Sequence, residues 1–279
     1  MFMNEKLYSD KLNNAVRLSE FEKFQGETTF NNVAAKFVVS GQETYIVNGK
    51  KFLVNEGEYI LGNNNQLTEV IISQKTLGLC IDISNDIIVE IIKNKFENND
   101  LNEFIISDKF LINKYHSHNT NLGHSITQLS SKILNDKDEL LRTELFYSIG
   151  ESIVNDQSII FEQYSKLNFK KQIVNEEVFR NLLKAKELID DCFLNKISIE
   201  ELSRTALISK YAFIRLFKTT FGLTPYHYIL QKRLRFAKEL LVKGEKPVIV
   251  AQKTGFADLP SFSKAFKNYF GLSPINLKK

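Results

Sequence analysis

The chain has 279 residues, of which 43% are hydrophobic and 25% charged, and its formal net charge is +4. This balance is typical of a globular protein with one or two domains. The two cysteines, Cys80 and Cys192, are too few for a disulfide framework or a four-thiolate zinc site. The N-terminal residues lack the apolar core of a signal peptide, and no apolar run approaches a membrane span, so we expect a cytoplasmic protein with reduced thiols.

Charge is distributed unevenly along the chain. Residues 180–279 carry a large excess of Lys and Arg over Asp and Glu, whereas residues 1–179 are acidic. A basic segment on an acidic body suggests that one end of the protein meets a polyanion such as nucleic acid. A basic surface without a partner would give the same balance, so charge alone leaves both interpretations open.

Residues 1 to about 115 are predicted to form mainly β-strands, because short runs rich in β-branched and aromatic residues alternate with turn residues. Asn48-Gly49 predicts a type I′ hairpin turn. The predicted strands are residues 36–40, 44–47, 51–54, 59–61, 69–73 and 79–83. Residues 86–96 are predicted to be helical, and residues 104–107 to return to the sheet.

Three histidines lie close together after these strands. His116, His118 and His124 invite a metal-site interpretation, but we expect them in an exposed loop before a helix that begins near Ser125. The fourth histidine, His227, is predicted to lie on a helix surface. No constellation of catalytic residues is visible, so the sequence predicts a protein that is not an enzyme and uses no metal or cofactor.

An amphipathic helical stretch follows Asp138. Its apolar stripe has two possible roles: to pack on the N-terminal body, or to pair two copies of the chain, which we favour. The predicted dimerisation residues are Leu141, Leu145, Ile149 and Ile153. Residues 166–179 are predicted to be a linker.

The C-terminal third contains an internal repeat. Phe213, Phe217, Phe221, Gly222 and Pro225 recur 49 residues further on. The second members of these pairs are Phe262, Phe266, Phe270, Gly271 and Pro274. The same spacing aligns Leu202 with Ala251 and Thr205 with Thr254.

Each copy of the repeat predicts two short helices joined by a tight turn. In the first copy, Ser198 and Glu201 form a capping box, and Ser209 is placed to cap the second helix. In the second copy, Gly255-Phe256 forms the turn and Asp258 caps the helix that follows. A helix from Thr224-Pro225 to Val242 connects the copies and spans about 27 Å. Two helix-turn-helix motifs on such a strut predict a reader of two adjacent DNA major grooves.

Residues 180–279 resemble the DNA-binding domain of the AraC/XylS family of bacterial transcription regulators. The second copy carries the closest match, in a series of short motifs. These are Gly255-Phe256, Phe262-Ser263, Phe266-Lys267, Phe270-Gly271 and Ser273-Pro274. The resemblance implies an α+β protein, with a cupin-like β-barrel and helical dimerisation segment in residues 1–165 and an all-α domain of two helix-turn-helix motifs in residues 180–279.

The resemblance also implies residues that contact DNA. The implied base-contacting residues are Tyr211, Ile214, Arg215, Leu259, Pro260, Ser261, Ser263 and Lys264. Ser209, Lys210, Lys218 and Lys267 are the implied phosphate contacts. Family members often have polar side chains where this chain has Leu259 and Pro260, so fewer base hydrogen bonds are expected from the second helix.

Most members of this family activate transcription, so the resemblance implies an activator that binds double-stranded DNA as a homodimer and acts with RNA polymerase. A small-molecule effector or a regulatory protein would act through the barrel. Cupin enzymes hold a metal on strand histidines, and no histidine precedes His116. Repair enzymes that share this helix pair need a cluster of zinc-bound cysteines. The remaining alternative is an interaction module whose basic end binds an acidic partner.

Overall fold

The computed structural model describes residues 3–30, 32–63, 67–96, 98–107, 110–135 and 142–277. The chain divides into two compact units, Met1–Phe161 and Glu162–Lys279. The first unit is rich in β-strands, and the second is helical. The mixed α/β fold class predicted from the sequence is therefore confirmed.

Two antiparallel sheets form the N-terminal unit. Among the described residues, one sheet has six strands in the order β1-β2-β9-β4-β7-β10, and the other has four in the order β3-β8-β5-β6. The strands are β1 Met3–Ser9, β2 Ala15–Phe21, β3 Phe24–Thr29, β4 Val33–Ser40, β5 Gln42–Val47, β6 Lys50–Asn55, β7 Glu58–Gly62, β8 Leu67–Ile72, β9 Thr76–Ile83 and β10 Asn113–His116.

The strands predicted between residues 36 and 83 are confirmed as β4 to β9, to within a few residues at each end. Asn48 and Gly49 connect β5 to β6, and both have positive φ, 50° and 73°, as a type I′ turn requires. By contrast, strands β1 to β3 had no clear signal. The residues of β1 and β3 are largely polar, and the burial of β3 alternates between half-buried and exposed positions without a buried one.

The prediction that residues 104–107 return to the sheet is wrong. Helix α2, Asn99–Ile106, occupies this region, and Asn98 caps it by accepting a hydrogen bond from the backbone of Leu101. Leu101, Phe104 and Ile105 are buried at helical spacing. The edge strand that completes the larger sheet comes later, as β10, and pairs with β7.

Three more helices accompany α2 in this region: α1 Asn85–Lys95, α3 Asn121–Asn135 and α4 Thr143–Ser165. Helix α4 approaches α1 so closely that a Cβ on Gly150 would lie 2.8 Å from Cδ1 of Ile91. The Asp156 carboxylate of α4 accepts hydrogen bonds from the first backbone amides of α3, those of Asn121 and Leu122. Helix α4 is therefore held by its own chain along much of its length.

This packing corrects the predicted dimerisation set. Ile149 and Ile153 are each 1% exposed, so a second copy could reach them only if the unit opened. Leu145 is half-buried, and Leu141 lies outside the described residues. Of the two roles considered for this stripe, packing within the N-terminal unit is the one that the structure shows for Ile149 and Ile153.

In the part of the C-terminal unit that the structure describes, six α-helices follow α4: α5 Gln172–Cys192, α6 Ile199–Thr205, α7 Lys210–Phe221, α8 Pro225–Val242, α9 Pro247–Lys253 and α10 Leu259–Phe270. The predicted linker, residues 166–179, includes the first two turns of α5. Within the described residues, no helix combines the length and the apolar character needed to cross a membrane.

Candidate nucleic-acid interface

Each copy of the repeat folds into two short helices joined by a turn, α6–α7 and α9–α10. The Ser198 hydroxyl accepts a hydrogen bond from the Glu201 backbone at 3.1 Å, which confirms the predicted cap. The Asp258 carboxylate caps α10 by accepting a hydrogen bond from the Ser261 backbone at 2.7 Å. Ser209 occupies the N-cap position of α7, although its side chain makes no cap hydrogen bond. Gly222 and Gly271 end the second helices in the left-handed conformation, with φ of 78° and 76°.

The phenylalanines that define the repeat form two equivalent cores. Phe213, Phe217, Phe262 and Phe266 are completely buried. The ring centroids of Phe213 and Phe217 lie 5.5 Å apart, as do those of Phe262 and Phe266. Both cores are therefore made by the same pair of aromatic side chains, one turn apart on the second helix of each motif.

The first helices of the two copies correspond at a spacing of 48 residues, which corrects the alignment predicted from the sequence. Leu202 and Ala206 are buried in the first copy, and Val250 and Thr254 take the equivalent buried places in the second. The helix bounds show the same shift, from Ile199–Thr205 to Pro247–Lys253. The second copy has one extra residue in its turn, which restores the spacing of 49 residues for α7 and α10.

Helix α7 presents a polar and aromatic face to solvent. Tyr211 is 88% exposed, and Arg215 and Lys218 are exposed at positions four and seven residues further on. Ile214 lies between them and is half-buried. Because residues spaced by three, four and seven share one face of a helix, these four side chains form a continuous surface opposite Phe213 and Phe217.

Helix α10 presents an equivalent but less varied face. Pro260, Ser261, Lys264 and Lys267 are exposed, and Ser263 is half-buried. Leu259 is half-buried, and its side chain packs against the core formed by α8, α9 and α10. Part of Leu259 therefore remains accessible beside the exposed residues.

Lys210 is exposed at the N-terminus of α7, but it is not free to reach a phosphate without a change of partner. Its ammonium group forms an ion pair with the Glu200 carboxylate of α6. This pairing raises the pKa of Lys210 and lowers that of Glu200, through a direct hydrogen bond and charge attraction. Of the other predicted phosphate contacts, Ser209, Lys218 and Lys267 are also exposed.

Helix α8 joins the two motifs, and its two ends pack on different copies. Near its beginning, Tyr228 contacts Phe217 of the first core, with ring centroids 5.9 Å apart. Its later residues Leu234, Ala237 and Leu240 belong to the core of the second copy. The predicted strut is confirmed, with the Thr224 hydroxyl as its N-cap and Pro225 in its first turn.

A buried ionic cluster, missed by the sequence analysis, fastens α8 to α5. The Asp190 carboxylate accepts hydrogen bonds from Lys186 at 2.8 Å and from the Tyr228 hydroxyl at 2.8 Å, and it pairs with Lys232 at 3.0 Å. Burial raises the pKa of Tyr228 to about 12. Burial also opposes ionisation of Asp190, but Lys186 and Lys232 outweigh it and lower its pKa.

A second missed residue is Arg233, in the middle of α8. Its guanidinium donates hydrogen bonds to the carbonyl oxygens of Phe193 at 2.7 Å, Asn195 at 2.8 Å and Gly255 at 3.0 Å. No sequence motif predicted these contacts, because all three acceptors are backbone atoms. An arginine next to the core residue Leu234 on a connecting helix was the one available signal.

The N-terminal unit contains a cavity of about 250 Å³ between its two sheets. Its lining combines aromatic and aliphatic side chains with Arg17, Lys36, Glu43, Tyr45 and Asp82. Arg17 forms an ion pair with Asp82, and the Tyr45 hydroxyl donates a hydrogen bond to Glu43. Burial raises the pKa of the Glu43 carboxyl. The cavity thus offers both charged and apolar contacts in an otherwise apolar interior.

The histidines do not assemble into a ligand set. His116 ends strand β10, and its Nε2 lies 3.3 Å from the Glu58 carboxylate. His124 lies within α3, which begins at Asn121 and thus before the predicted start, and its Nδ1 is 2.7 Å from the Thr120 carbonyl oxygen. Within the part of the chain that the structure describes, no group of three or more His, Cys, Asp or Glu side chains is placed to hold a metal ion.

Comparison with known proteins identifies the C-terminal motif. Residues 202–279 match the sequence profile of a family described as a helix-turn-helix domain. LumQ of Photobacterium leiognathi, named a probable transcriptional regulator, is 29% identical over 163 residues, which cover 58% of this chain and 61% of LumQ. The HTH-type transcriptional regulator YbfI of Bacillus subtilis is 25% identical over 224 residues, which cover 80% of this chain and 75% of YbfI. The chain therefore spans about three-fifths of the length of LumQ.

Among solved structures, a regulator with an AraC-type DNA-binding domain from Chromobacterium violaceum is 27% identical, with a TM-score of 0.33. The match covers 35% of this chain and 88% of that one.

The repeated helix pairs, their exposed second helices and the matching profile define residues 202–279 as a helix-turn-helix domain. The chain is similar to helix-turn-helix transcriptional regulators. The helix-turn-helix domain predicted from the internal repeat is thus confirmed.

Proposed function

We propose that the chain is a sequence-specific transcription regulator that reads two adjacent major grooves of double-stranded DNA. One observation carries this proposal: equivalent exposed faces of α7 and α10 present Arg215 with Lys218 and Lys264 with Lys267. Arginine is suited to bidentate contact with guanine, and lysine to phosphate. A protein with this activity would work in the cytoplasm and would not be an enzyme.

The two faces differ in the side chains that they offer to DNA bases. Tyr211, Ile214 and Arg215 offer apolar contacts and a guanidinium to base edges, whereas the face of α10 offers Pro260, Ser261, Ser263 and Lys264. We expect the first motif to contribute more base discrimination. Ser209, Lys210, Lys218 and Lys267 would contact phosphates, with Lys210 leaving Glu200 when DNA arrives.

A footprint of the full-length protein on DNA upstream of its own gene tests this function. Protection of two segments about one helical turn apart supports a reader of two grooves. Binding to duplex DNA without sequence preference would overturn the proposed sequence-specific function. Weak binding with little dependence on salt would instead favour a module that binds an acidic protein, because phosphate contacts make DNA binding steeply salt-dependent.

The N-terminal unit would regulate DNA binding through a small organic effector held in the cavity between the sheets. The charged pairs Arg17–Asp82 and Glu43–Tyr45 lie on its wall, and a ligand that exchanges with them would change the packing of both sheets. A ligand changes activity only if it binds the DNA-competent state more tightly than the idle state. A regulatory protein acting on the same unit is the second candidate, because it would need no ligand in the cavity.

Two further partners belong to the proposal. The first is a second copy of the chain, with Leu145 and the 51% exposed Ile159 among the apolar residues of α4 that remain accessible. The second is RNA polymerase, which an activator of the implied kind contacts at the promoter. Sedimentation of the full-length protein and of a Leu145→Glu variant tests the dimer, and a monomeric wild type would overturn it.

A further inference from the structure

Arg233 is placed to fix the two helix-turn-helix motifs relative to each other. Its acceptors belong to two separate segments of the chain: Phe193 and Asn195 follow α5 and precede the first motif, and Gly255 lies in the turn of the second motif. Each of the three hydrogen bonds is between 2.7 and 3.0 Å long. A charged donor strengthens such bonds relative to those between neutral groups.

Neighbouring residues of α8 support the same junction. The Lys232 ammonium lies over the Phe193 ring at 5.6 Å from its centroid, and Phe193 packs edge-on against Phe236 at 5.9 Å. The segment after α5 is therefore held by Lys232, Arg233 and Phe236, which lie within little more than one turn of α8. Arg233 is the residue among these that also bonds to the second motif.

Gly255 provides an independent observation. Its φ is +74°, a conformation that favours glycine. A Cβ at this position would lie 3.0 Å from both Cζ and one terminal nitrogen of Arg233. The turn of the second motif is thus shaped both by its backbone and by the close approach of the guanidinium. In the first copy, the equivalent turn residue is Leu207, at φ 52° and 78% exposed.

We propose that Arg233 is a positioning residue that sets the spacing between the two DNA half-sites the protein accepts. The inference rests on the proposed function, because it requires that both motifs bind DNA at once. Moving one half-site by a base pair rotates it by about 35° and displaces it by about 3.4 Å along the duplex. A rigid pair of motifs resists this change, whereas a loosened pair adapts to it.

The first experiment measures tolerance of spacing. Full-length wild type selects binding sites from a pool of duplexes with 30 random base pairs, and the preferred site is then lengthened by one base pair between its halves. We expect the wild type to lose about tenfold in affinity on insertion and Arg233→Lys to lose about twofold to threefold, because a single ammonium cannot bridge three carbonyls. Arg235→Lys is the matched control, since Arg235 lies on the same helix and bonds to the Tyr269 hydroxyl of the second motif alone; its insertion penalty should equal that of the wild type.

The second experiment needs no DNA. Spin labels on Thr219→Cys and Asn268→Cys report the distance between α7 and α10, since both positions are exposed and equivalent in the repeat. Cys80 and Cys192 are replaced by serine in this background. We expect a narrow distance distribution in the wild type and in Arg235→Lys, and a broader one in Arg233→Lys.

The outcomes separate the two proposals. If the wild type selects no site, the proposed function fails, and the distance distribution still decides whether Arg233 holds the motifs together. If sites are selected but Arg233→Lys keeps both the full insertion penalty and the narrow distribution, the role of Arg233 is overturned. Should Arg233→Lys fail to fold, Gly255→Ala provides a second way to displace the guanidinium and should produce the same tolerance of spacing.

Discussion

The two helix-turn-helix copies have the same aromatic core but different connections to the rest of the domain. Phe213 and Phe217 repeat as Phe262 and Phe266 at an identical ring separation of 5.5 Å. Outside the core the copies diverge: the first packs on Tyr228 of the Asp190 cluster that joins α5 to α8, and the second receives Arg233 at its turn. The repeated residues define each motif, and the unrepeated ones define how it is held.

The recognition faces differ in the same way. Tyr211 and Arg215 in the first copy correspond to Pro260 and Lys264 in the second. Arginine offers a planar fork of donors, whereas lysine offers a point charge. The first copy therefore has the greater capacity to discriminate between bases, and the following variants test this contrast and the contrast between the cores.

The largest expected effect is the loss of a core aromatic ring. Phe217→Ala and Phe266→Ala should each destabilise their motif by about 3–5 kcal/mol, because a completely buried ring leaves a cavity. Hydrogen exchange followed by mass spectrometry measures the loss of protection separately for residues 199–221 and 247–270. The exposed Tyr226→Ala serves as the control. If each variant weakens both motifs equally, the two cores are not independent.

A smaller effect is expected on the recognition faces. Arg215→Ala should cost about 1–3 kcal/mol of binding free energy and relax the preference at one base position. Lys264→Ala should cost less, about 0.5–1.5 kcal/mol, with no change in the preferred base. Fluorescence anisotropy against single-base variants of the selected site measures both. Equal loss of discrimination in the two variants would remove the proposed difference between the copies.

Substitutions in the two turns should change stability to different extents. Gly255→Ala is expected to destabilise the second motif by about 1–2 kcal/mol, because an alanine at φ +74° is strained and its Cβ meets Arg233. Leu207→Gly should change stability by less than about 1 kcal/mol, since relief of strain at φ 52° offsets the added freedom of the unfolded chain. Urea unfolding monitored on each motif by hydrogen exchange compares them, and a large loss in Leu207→Gly would contradict this account.

The smallest effect is a pH dependence of the first copy that comes from the Asp190 cluster. The lowered pKa of Asp190 means that its ionised form stabilises the fold above the ordinary carboxyl pKa of 3.8, and that this stability disappears as pH falls below 3.8 through the lower folded value. In the second copy of the repeat, the position equivalent to Asp190 is Glu239, whose side chain is exposed. Hydrogen exchange between pH 5 and pH 3 should show that Asp190→Asn removes the acid sensitivity of α5 and the first motif, with Glu239→Gln as control.

Local signals in the sequence predicted much of the C-terminal domain. Ser198, Asp258 and Pro225 mark helix beginnings, and Gly222 and Gly271 mark helix ends, because caps and left-handed glycines act within one or two turns. The predictions failed where the signal was not local. Residues 104–107 are as apolar as a strand, and their helical state depends on burial of Leu101, Phe104 and Ile105 together.

In the proposed DNA-binding site, too, the sequence predicted the features that depend on local spacing and not those that depend on neighbouring helices. Exposure of Arg215, Lys218, Lys264 and Lys267 follows from helical spacing against the buried phenylalanines, so the sequence was sufficient to expect it. The packing of Leu259 and the ion pair of Lys210 with Glu200 depend on neighbouring helices, which no single-helix pattern describes. Likewise, Ile149 and Ile153 formed a good apolar stripe, but only the structure showed that their own unit covers it.

By itself, the sequence determined that two copies of a helix pair exist, where their aromatic cores lie and which face of each second helix meets solvent. These properties follow from side-chain periodicity and from caps that act over a few residues. The tertiary structure decided the one-residue difference between the turns, the burial of α4 and the bonds from Arg233 to Phe193, Asn195 and Gly255. Those features depend on backbone carbonyls and packing partners brought together from distant parts of the chain, and a backbone carbonyl has no signature in the sequence.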